Sequence, residues 1–366
     1  MGFESESISF RAFYVPESLP DDVIDRFSKL AAPSLEYLSE GEVHGWVTGR
    51  HLLDRNITED SALYAGYLRL TLMQAERKIP EPLFRAECAI EELAHLAATG
   101  AEYVSRKVKS EIKKTVRDRM LPGMPPHLKG IPMVYDENEG LLYASCMSEK
   151  QFDAFVLNFK ETTGVMPIPV VPKTAALKLR QVNTDDLASV SFSPECDMDE
   201  VNDSVGQDFL TWLWFLSEAR GGIVTFEHLG RFAIMIEGPL TFAMEGDGAH
   251  ETVLRNGMPA LSAEAKTSLL SGKKLKRAKL VIAREEEMWS VSLDADDFGF
   301  RSLKLPEGEK LDPISTFQQR VMALNLFTKV FLYLYDLFLS ERSERESWQK
   351  SQGEIHKWIE ERHARK

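Results

Sequence analysis

Basic side chains concentrate in two short stretches of an otherwise acidic chain. Between residues 105 and 120 there are seven cations and two carboxylates, and between 273 and 279 there are five cations and no carboxylate. Lysine and arginine at this density neutralise phosphates and release counterions, which lets a protein hold a nucleic acid backbone without reading its bases. The candidate phosphate-binding residues are Arg106, Lys107, Lys109, Lys113, Lys114, Arg117, Arg119, Lys273, Lys274, Lys276, Arg277 and Lys279.

The first basic stretch has the periodicity of an amphipathic helix. Its apolar residues recur at every fourth position, at Val104, Val108, Ile112 and Val116. Four cations fall on another face at helical spacing, at Arg106, Lys109, Lys113 and Arg117. This pattern predicts a helix with one side available to phosphates, although a charged face that only keeps a helix solvated has the same pattern. A weaker third candidate is formed by Lys173, Lys178 and Arg180.

Acidic residues could instead serve a metal-dependent nuclease, which needs carboxylates converging on magnesium to activate water. One acidic run consists of Glu195, Asp197, Asp199, Glu200 and Asp203. It does not form a calcium loop, because Val201 and Asn202 occupy the expected ligand and glycine positions. A second group has Phe298 at a ligand position, and it consists of Asp294, Asp296 and Asp297.

Histidines and the common catalytic motifs add little to the enzyme interpretation. His356, Glu360 and His363 have ligand-like spacing on one helical face, but the segment is charged throughout, which favours a solvated surface. The chain has no HExxH, GxGxxG, P-loop or GxSxG motif. We therefore predict no catalytic residue, no cofactor and no bound metal.

The bulk composition is that of a globular protein with a local site. The 366 residues are 43% hydrophobic, which is enough for a sizeable core in two or three structural units. A net charge of −13 opposes general attraction to a polyanion, so any phosphate-binding surface must be local. Cys88, Cys146 and Cys196 are far apart and lack CxxC spacing, which predicts reduced thiols.

Two segments bear on cellular location. The opening residues MGFESESISF lack the basic region and long apolar run of a signal peptide, so we expect a cytoplasmic protein. The apolar run at 323–340 approaches the length of a membrane span, but Lys329 and Asp336 interrupt it. A buried helix is therefore predicted there, and no membrane partner.

The elements that must position these residues are predicted from hydrophobic periodicity. Residues 1–79 have a β-α-β-β pattern and 130–175 a β-β-α-β pattern, and together they form a predicted central domain. Residues 80–129 are a predicted helical insertion that carries the basic helix. Residues 176–366 form a predicted α+β C-terminal domain with a long final helix. The fold class is therefore α+β, with mixed or antiparallel sheets.

The string DFLTWLWFLSE at 208–218 is apolar on all sides if it is helical. Such a helix is normally buried. The alternative is a surface on which bases stack, but that surface needs cations between the rings, and none occurs between Asp208 and Glu218. We predict core packing.

Three segments resemble one family in the same order. DFLTWLWFLSE resembles the E-F-L-T-W-L-W segment of the bacterial recombination-associated RdgC family. The stretch that begins ERKIPEPLF and continues through SRKVKSEIKKTVRDRMLP is similar to that family's ER-x-(L/I)-P, acidic helix and basic helix succession. KLKRAKLVIAREEEMWSVSLDADDFGFRSLKLP is similar in layout to the strands before its last helix. The resemblance covers most of the chain.

The resemblance implies a non-catalytic protein that binds double-stranded DNA without sequence preference. It further implies a homodimer closed into a ring around DNA, associated with the nucleoid, which competes with RecA for DNA and restrains RecA-mediated recombination. The family also carries an exonuclease label, so a metal-dependent DNA exonuclease is the alternative.

The sequence departs from the family at one turn. In the family, Leu-Pro after the basic helix leads into a basic residue and an aromatic residue, which form a finger near DNA. Here Leu121 and Pro122 are followed by Gly-Met-Pro-Pro, with no cation or ring before His127. A finger role does not carry over to this turn.

Overall fold

The computed structural model describes residues 2–38, 41–188, 190–193, 204–244, 251–309 and 311–361. Within these residues the protein is a mixed α+β fold with ten α-helices and a large antiparallel sheet. The predicted α+β class and the long helix near the C-terminus are thereby confirmed.

The sheet contains thirteen strands. They are β1 Ser7–Tyr14, β2 Glu42–Thr48, β3 Leu63–Tyr64, β4 Tyr67–Arg77, β5 Pro126–Asp136, β6 Leu141–Ala144, β7 Ile168–Pro169, β8 Ile223–Phe226, β9 Gly230–Ala243, β10 Thr252–Leu254, β11 Lys274–Arg284, β12 Glu287–Asp294 and β13 Gly299–Lys304. The main path runs β10-β9-β11-β12-β13-β1-β6-β5-β4-β2, and β3, β7 and β8 pair beside it.

The helices pack against this sheet or project from it. They are α1 Val23–Lys29, α2 Glu59–Ala62, α3 Glu81–Thr99, α4 Arg106–Met120, α5 Glu149–Thr163, α6 Pro172–Arg180, α7 Val205–Ala219, α8 Ala263–Leu270, α9 Pro313–Ser343 and α10 Arg345–Glu360. The boundary that the sequence predicts near residue 175 falls inside α6.

Strand β1 joins the two halves of the chain. Its first residues pair with β13 and its last residues pair with β6, with a register irregularity between Ile8 and Phe10. The predicted central and C-terminal units therefore share one continuous sheet. Alternation of side chains along β1 also sends Phe10 and Phe13 into different buried clusters.

Buried apolar residues form three clusters in the described structure. The largest lies between the strands and α7, α9 and α10, and it includes Phe10 and Tyr143 from the N-terminal half. The second lies between the N-terminal strands and α1 and α5, where Phe27 packs edge-on against Trp46. The third is small and includes Val47 and Met73. Most of the core is therefore built around the C-terminal helices.

Helix α7 contains the tryptophan-rich string. Its first residues follow Ser204, whose hydroxyl accepts a hydrogen bond from the Gln207 amide. All residues from 205 to 216 are buried, and both Trp212 and Trp214 are fully buried. The predicted core packing is confirmed, because no ring face of α7 is open for a base.

Helix α9 is the apolar segment near the C-terminus. By length and composition it is the one described helix that could cross a membrane, and 56% of its most apolar window is buried. Its two interrupting charges are paired, Lys329 with Glu139 at 2.6 Å and Asp336 with Arg180 at 2.7 Å. One side of α9 therefore packs as a core helix, as predicted.

The helical insertion leaves the sheet between β4 and β5. Helices α3 and α4 are followed by a 3₁₀ turn at Leu121–Gly123, and the chain returns to β5 at Pro126. Pro126 already pairs with Arg77 of β4. The last residues of the predicted insertion, 126–129, therefore belong to the sheet.

Candidate nucleic-acid interface

Helix α4 carries the first basic stretch. Ser105 caps its N-terminus by accepting a hydrogen bond from the Val108 amide. The predicted apolar stripe faces inward, since Val104 and Val116 are buried and Ile112 is half-buried. All seven predicted cations of this helix are exposed. The structure thus forms the amphipathic helix that the spacing predicts.

Some of these cations contact the neighbouring helix α3. Arg119 pairs with Glu87 at 2.8 Å and with Glu91 at 2.6 Å, and Lys109 pairs with Glu92 at 3.2 Å. Arg117 lies over the Phe84 ring, 5.7 Å from its centroid. Arg119 and Lys109 are therefore partly neutralised and help to join the two helices.

The cations of α4 that lack an ion pair in the described structure, Arg117 among them, form an exposed surface that we call the α4 cationic face. Among the described residues, none of its five members has a carboxylate partner at ion-pair distance. At helical spacing Arg106, Lys113 and Arg117 fall along one line of α4, and Lys107 and Lys114 lie beside it. The α4 cationic face consists of Arg106, Lys107, Lys113, Lys114 and Arg117.

The second basic stretch lies on β11, where the structure corrects one predicted residue. Lys274 is only 2% exposed, and its ammonium pairs with Asp208 of α7 at 2.7 Å. A buried and paired lysine is not available to a phosphate. The prediction failed because the sequence does not show which carboxylate folds against this lysine.

The other cations of the second basic stretch also have partners. Lys276 pairs with Asp296 at 3.3 Å, and Lys279 pairs with Glu237 at 2.7 Å. Arg277 pairs with Asp294 at 2.5 Å, and this hydrogen bond raises the pKa of the guanidinium. Lys273 donates to the Thr252 hydroxyl at 2.5 Å. The surface around this stretch is thus less positively charged than its sequence suggests.

The cations of the weaker third candidate lie on α6, and each contacts another side chain of the protein. Arg180 binds both carboxylate oxygens of Asp336, Lys173 pairs with Asp185, and Lys178 lies 4.7 Å from the centroid of the Tyr14 ring. All three side chains are exposed, but each has a partner, so this surface is less cationic than its sequence suggests.

Strand pairing adds cations that the sequence analysis missed. Lys279, Ser292 and Arg301 are successive cross-strand neighbours on β11, β12 and β13, and they share one face of the sheet. Lys304 lies opposite Ser290 on the same strands and, like Arg301, is exposed. Cations that are separated along the chain leave no run in the sequence, so only the strand register brings them together.

The turn between α3 and α4 presents an exposed ring. Tyr103 is 79% exposed, close in sequence to Arg106. An exposed ring beside cations can stack on a base or a sugar. By contrast, the turn after α4, at Leu121–Gly123, contains no aromatic ring.

The candidate nuclease carboxylates are engaged with cations where they are described. Asp294 and Asp296 pair with β11, and Asp297 pairs with Arg11. Burial raises the pKa of the Asp297 carboxyl, and the Arg11 charge offsets part of that rise. Among the described residues no three His, Cys, Asp or Glu side chains converge as metal ligands. The run at 195–203 lies outside the described residues.

The C-terminal histidine spacing and the thiols are described in part. His363 and Cys196 lie outside the described residues, and the His356 ring contacts the Ser191 carbonyl at 3.3 Å. Cys88 and Cys146 are free and buried. Burial raises the pKa of the Cys146 thiol to about 12, so this thiol is protonated and unreactive at neutral pH.

Comparison with known proteins identifies the central part of the chain. The family model described as "Putative exonuclease, RdgC" matches residues 37–201. The matched span runs from β2 through the helical insertion to α6, and it includes the α4 cationic face. No curated protein matches the chain. The string at 208–218 and the strands at 274–304 lie beyond the matched span. Residues 37–201, a little under half of the chain, are therefore similar to the RdgC family, and this match supports a recombination-associated role in DNA binding at the level of the family.

Proposed function

We propose that this protein binds duplex DNA through the phosphate backbone, without sequence preference, as a homodimer closed into a ring. The ring obstructs access of RecA to the duplex and so restrains recombination. The observation that carries the proposal is the α4 cationic face, whose five exposed cations have no carboxylate partner among the described residues.

Electrostatics favours binding at this face. The net charge of −13 repels DNA from the protein as a whole, so attraction depends on a local excess of cations. Five cations that neutralise five phosphates give a slope of about −4 to −5 for log affinity against log salt. Backbone binding of this kind needs no base contact, which accounts for the absence of sequence preference.

The outer side of α3 supports self-association. Leu83, Ile90 and Leu93 are 41%, 59% and 67% exposed, and Ala86 and Ala97 continue the same stripe. The positions follow the heptad spacing of a helix that packs against another helix. We call these five residues the α3 seam. A second copy is its proposed partner, because an apolar stripe without charges is self-complementary across a two-fold axis.

Exposed apolar side chains also occur along α9. Ile314, Met322 and Tyr333 are 54%, 58% and 47% exposed on a helix whose other side is in the core. The two surfaces belong to distant elements, the insertion and the C-terminal helix. If each contacts its own counterpart in a second copy, two chains close into a ring that leaves an opening between them.

The rival function is a metal-dependent exonuclease, which the description of the family model favours. It predicts that an end-labelled duplex is shortened in the presence of magnesium. The ring proposal predicts saturable binding to intact DNA.

Fluorescence anisotropy of an end-labelled duplex, titrated across a salt series with magnesium present, tests both functions. The double variant Lys113→Glu/Arg117→Glu should weaken binding by about 100-fold or more, because two attractive contacts become repulsive. The control Lys160→Glu/Lys357→Glu has the same net charge but changes exposed cations on α5 and α10. Equal losses in the two variants would argue against the α4 cationic face, and a progressive fall of anisotropy would mean cleavage.

A further inference from the structure

Arg77 stands where the helical hairpin of α3 and α4 leaves the sheet. It is the last residue of β4, and it pairs with Pro126 at the start of β5, where the chain returns. Only Lys78–Pro80 precede α3, and only Met124 and Pro125 separate the 3₁₀ turn from β5. The hairpin is therefore joined to the sheet by two short tethers.

The three buried clusters do not hold the hairpin. None of these clusters of the described structure includes a residue of α3 or α4. The hairpin has buried residues of its own, Cys88 in α3 and Val116 in α4. The angle at which it leaves the sheet therefore depends strongly on contacts at the tethers.

The Arg77 guanidinium makes such contacts with four backbone carbonyls. Nε donates to the Leu38 carbonyl at 3.2 Å, and Nη2 donates to the Leu35 carbonyl at 3.3 Å. Nη1 donates to the Pro122 carbonyl at 3.1 Å and to the Met124 carbonyl. The first two carbonyls belong to the segment before β2, and the other two belong to the turn that ends the hairpin. One side chain thus joins the hairpin to the body of the protein.

Only arginine can make this set of bonds. Its planar group has five N–H donors in a rigid fork, whereas lysine has a single nitrogen that cannot reach carbonyls on both sides. The carbonyls that follow a helix carry partial negative charge, which the guanidinium compensates. The adjacent carboxylate of Glu76 is taken by Lys78 at 2.5 Å.

We infer that Arg77 is a positioning residue for the DNA-binding helix. It sets the angle of the hairpin, and thereby the direction of the α4 cationic face, without touching DNA itself. Arg77 is half-buried and four of its contacts go to carbonyls, so it has little capacity left for a phosphate. The inference rests on the proposed role of α4 in DNA binding.

The test compares Arg77→Lys and Arg77→Ala with the control Lys78→Ala, which removes a neighbouring cation. Spin labels at Ser110→Cys on α4 and Asp153→Cys on α5, both exposed, report the hairpin angle as a distance distribution. The native cysteines are replaced by alanine in this background. Duplex affinity is measured by anisotropy on the same proteins, and thermal unfolding shows whether each variant is folded.

Both Arg77 variants should broaden the distance distribution and weaken duplex binding by about tenfold, whereas Lys78→Ala should leave both unchanged. Arg77→Lys is decisive because it keeps the positive charge but loses the planar set of N–H donors. A direct phosphate contact or a general charge effect would survive in Arg77→Lys.

Two results would overturn the inference. One is an Arg77→Lys variant whose distance distribution equals that of the wild type. The other is an Arg77→Lys variant whose distribution is broadened but whose affinity for duplex DNA equals that of the wild type. The proposed function fails separately, if Lys113→Glu/Arg117→Glu binds DNA as tightly as the wild type while the Arg77 variants still broaden the distribution.

Discussion

Lys274 and Asp208 form a buried ion pair between β11 and α7. Their side chains are 3% and 4% exposed, and the ammonium lies 2.7 Å from the carboxylate. Because water is excluded, each charge depends on the other for compensation. At the scale of one residue, a lysine inside a basic run therefore joins a helix to the sheet.

Loss of this lysine should be costly. Lys274→Ala leaves the Asp208 charge buried without its partner and should lower the free energy of unfolding by about 3–5 kcal/mol. Lys276→Ala, which breaks the partly exposed pair with Asp296, should cost about 0–1 kcal/mol. Urea denaturation of both variants measures the difference. Similar costs for the two would contradict the assignment of Lys274 to the core.

At the scale of an element, α9 begins at a charged cap. The Asp312 carboxylate accepts hydrogen bonds from the amides of Ile314 and Ser315 at 3.0 and 3.2 Å. Hydrogen bonds from Ser315 are the main reason that the pKa of Asp312 is lowered from its ordinary value of 3.8. The charged carboxylate is therefore the form that stabilises the start of this long helix.

Replacement of this cap should give a pH-dependent loss of stability. A lowered pKa in the folded state contributes stability above pH 3.8, and that contribution is lost as the pH falls through the folded-state pKa below 3.8. Asp312→Asn should therefore melt below the wild type at pH 7, with the gap closing in strong acid. Thermal melts across pH measure the gap, with Glu309→Gln, an exposed nearby carboxylate, as the control. A gap independent of pH would contradict the role of the charge.

At the scale of the whole molecule, the proposed ring needs two contacts between the same two chains. In the proposal these are the α3 seam and the exposed side of α9, which lie on distant elements. A closed ring is linked to circular DNA topologically, so its retention there does not depend on salt-sensitive contacts alone.

Breaking one of the two contacts between the chains should remove the topological link to circular DNA. Ile90→Glu/Leu93→Glu places four charges into the α3 contact of a dimer, and such like charges are strongly unfavourable when desolvated. We expect loss of retention on closed circular DNA after a high-salt wash, while linear DNA is released by wild type and variant alike. Leu157→Glu, at a site on α5 that is 65% exposed, is the control. Analytical ultracentrifugation shows the change in assembly.

Equal release of the wild type from circular and linear DNA would contradict the ring. A dimer that persists in Ile90→Glu/Leu93→Glu with retention intact would contradict the α3 seam as one of its contacts.

Features that depend on local periodicity could be predicted from the sequence. The apolar stripe from Val104 to Val116 and the cations beside it predict α4, and the unbroken apolar string at 208–218 predicts a buried α7. Both predictions succeed because a helix repeats every 3.6 residues. Residues that are close in sequence therefore show whether one side of a helix or the whole helix is apolar.

Which of the cations are open could not be predicted from the sequence, because it depends on the fold. Lys274, Lys276, Arg277 and Lys279 lie within one short run, yet their partners come from α7, β9, β12 and the turn after β12. Strand register likewise places Arg301 and Lys304 beside serines of β12, and the tether at Arg77 meets carbonyls from two separate segments. These partners are distant in sequence, and the free energy of a charge depends on what the fold brings within a few ångströms of it.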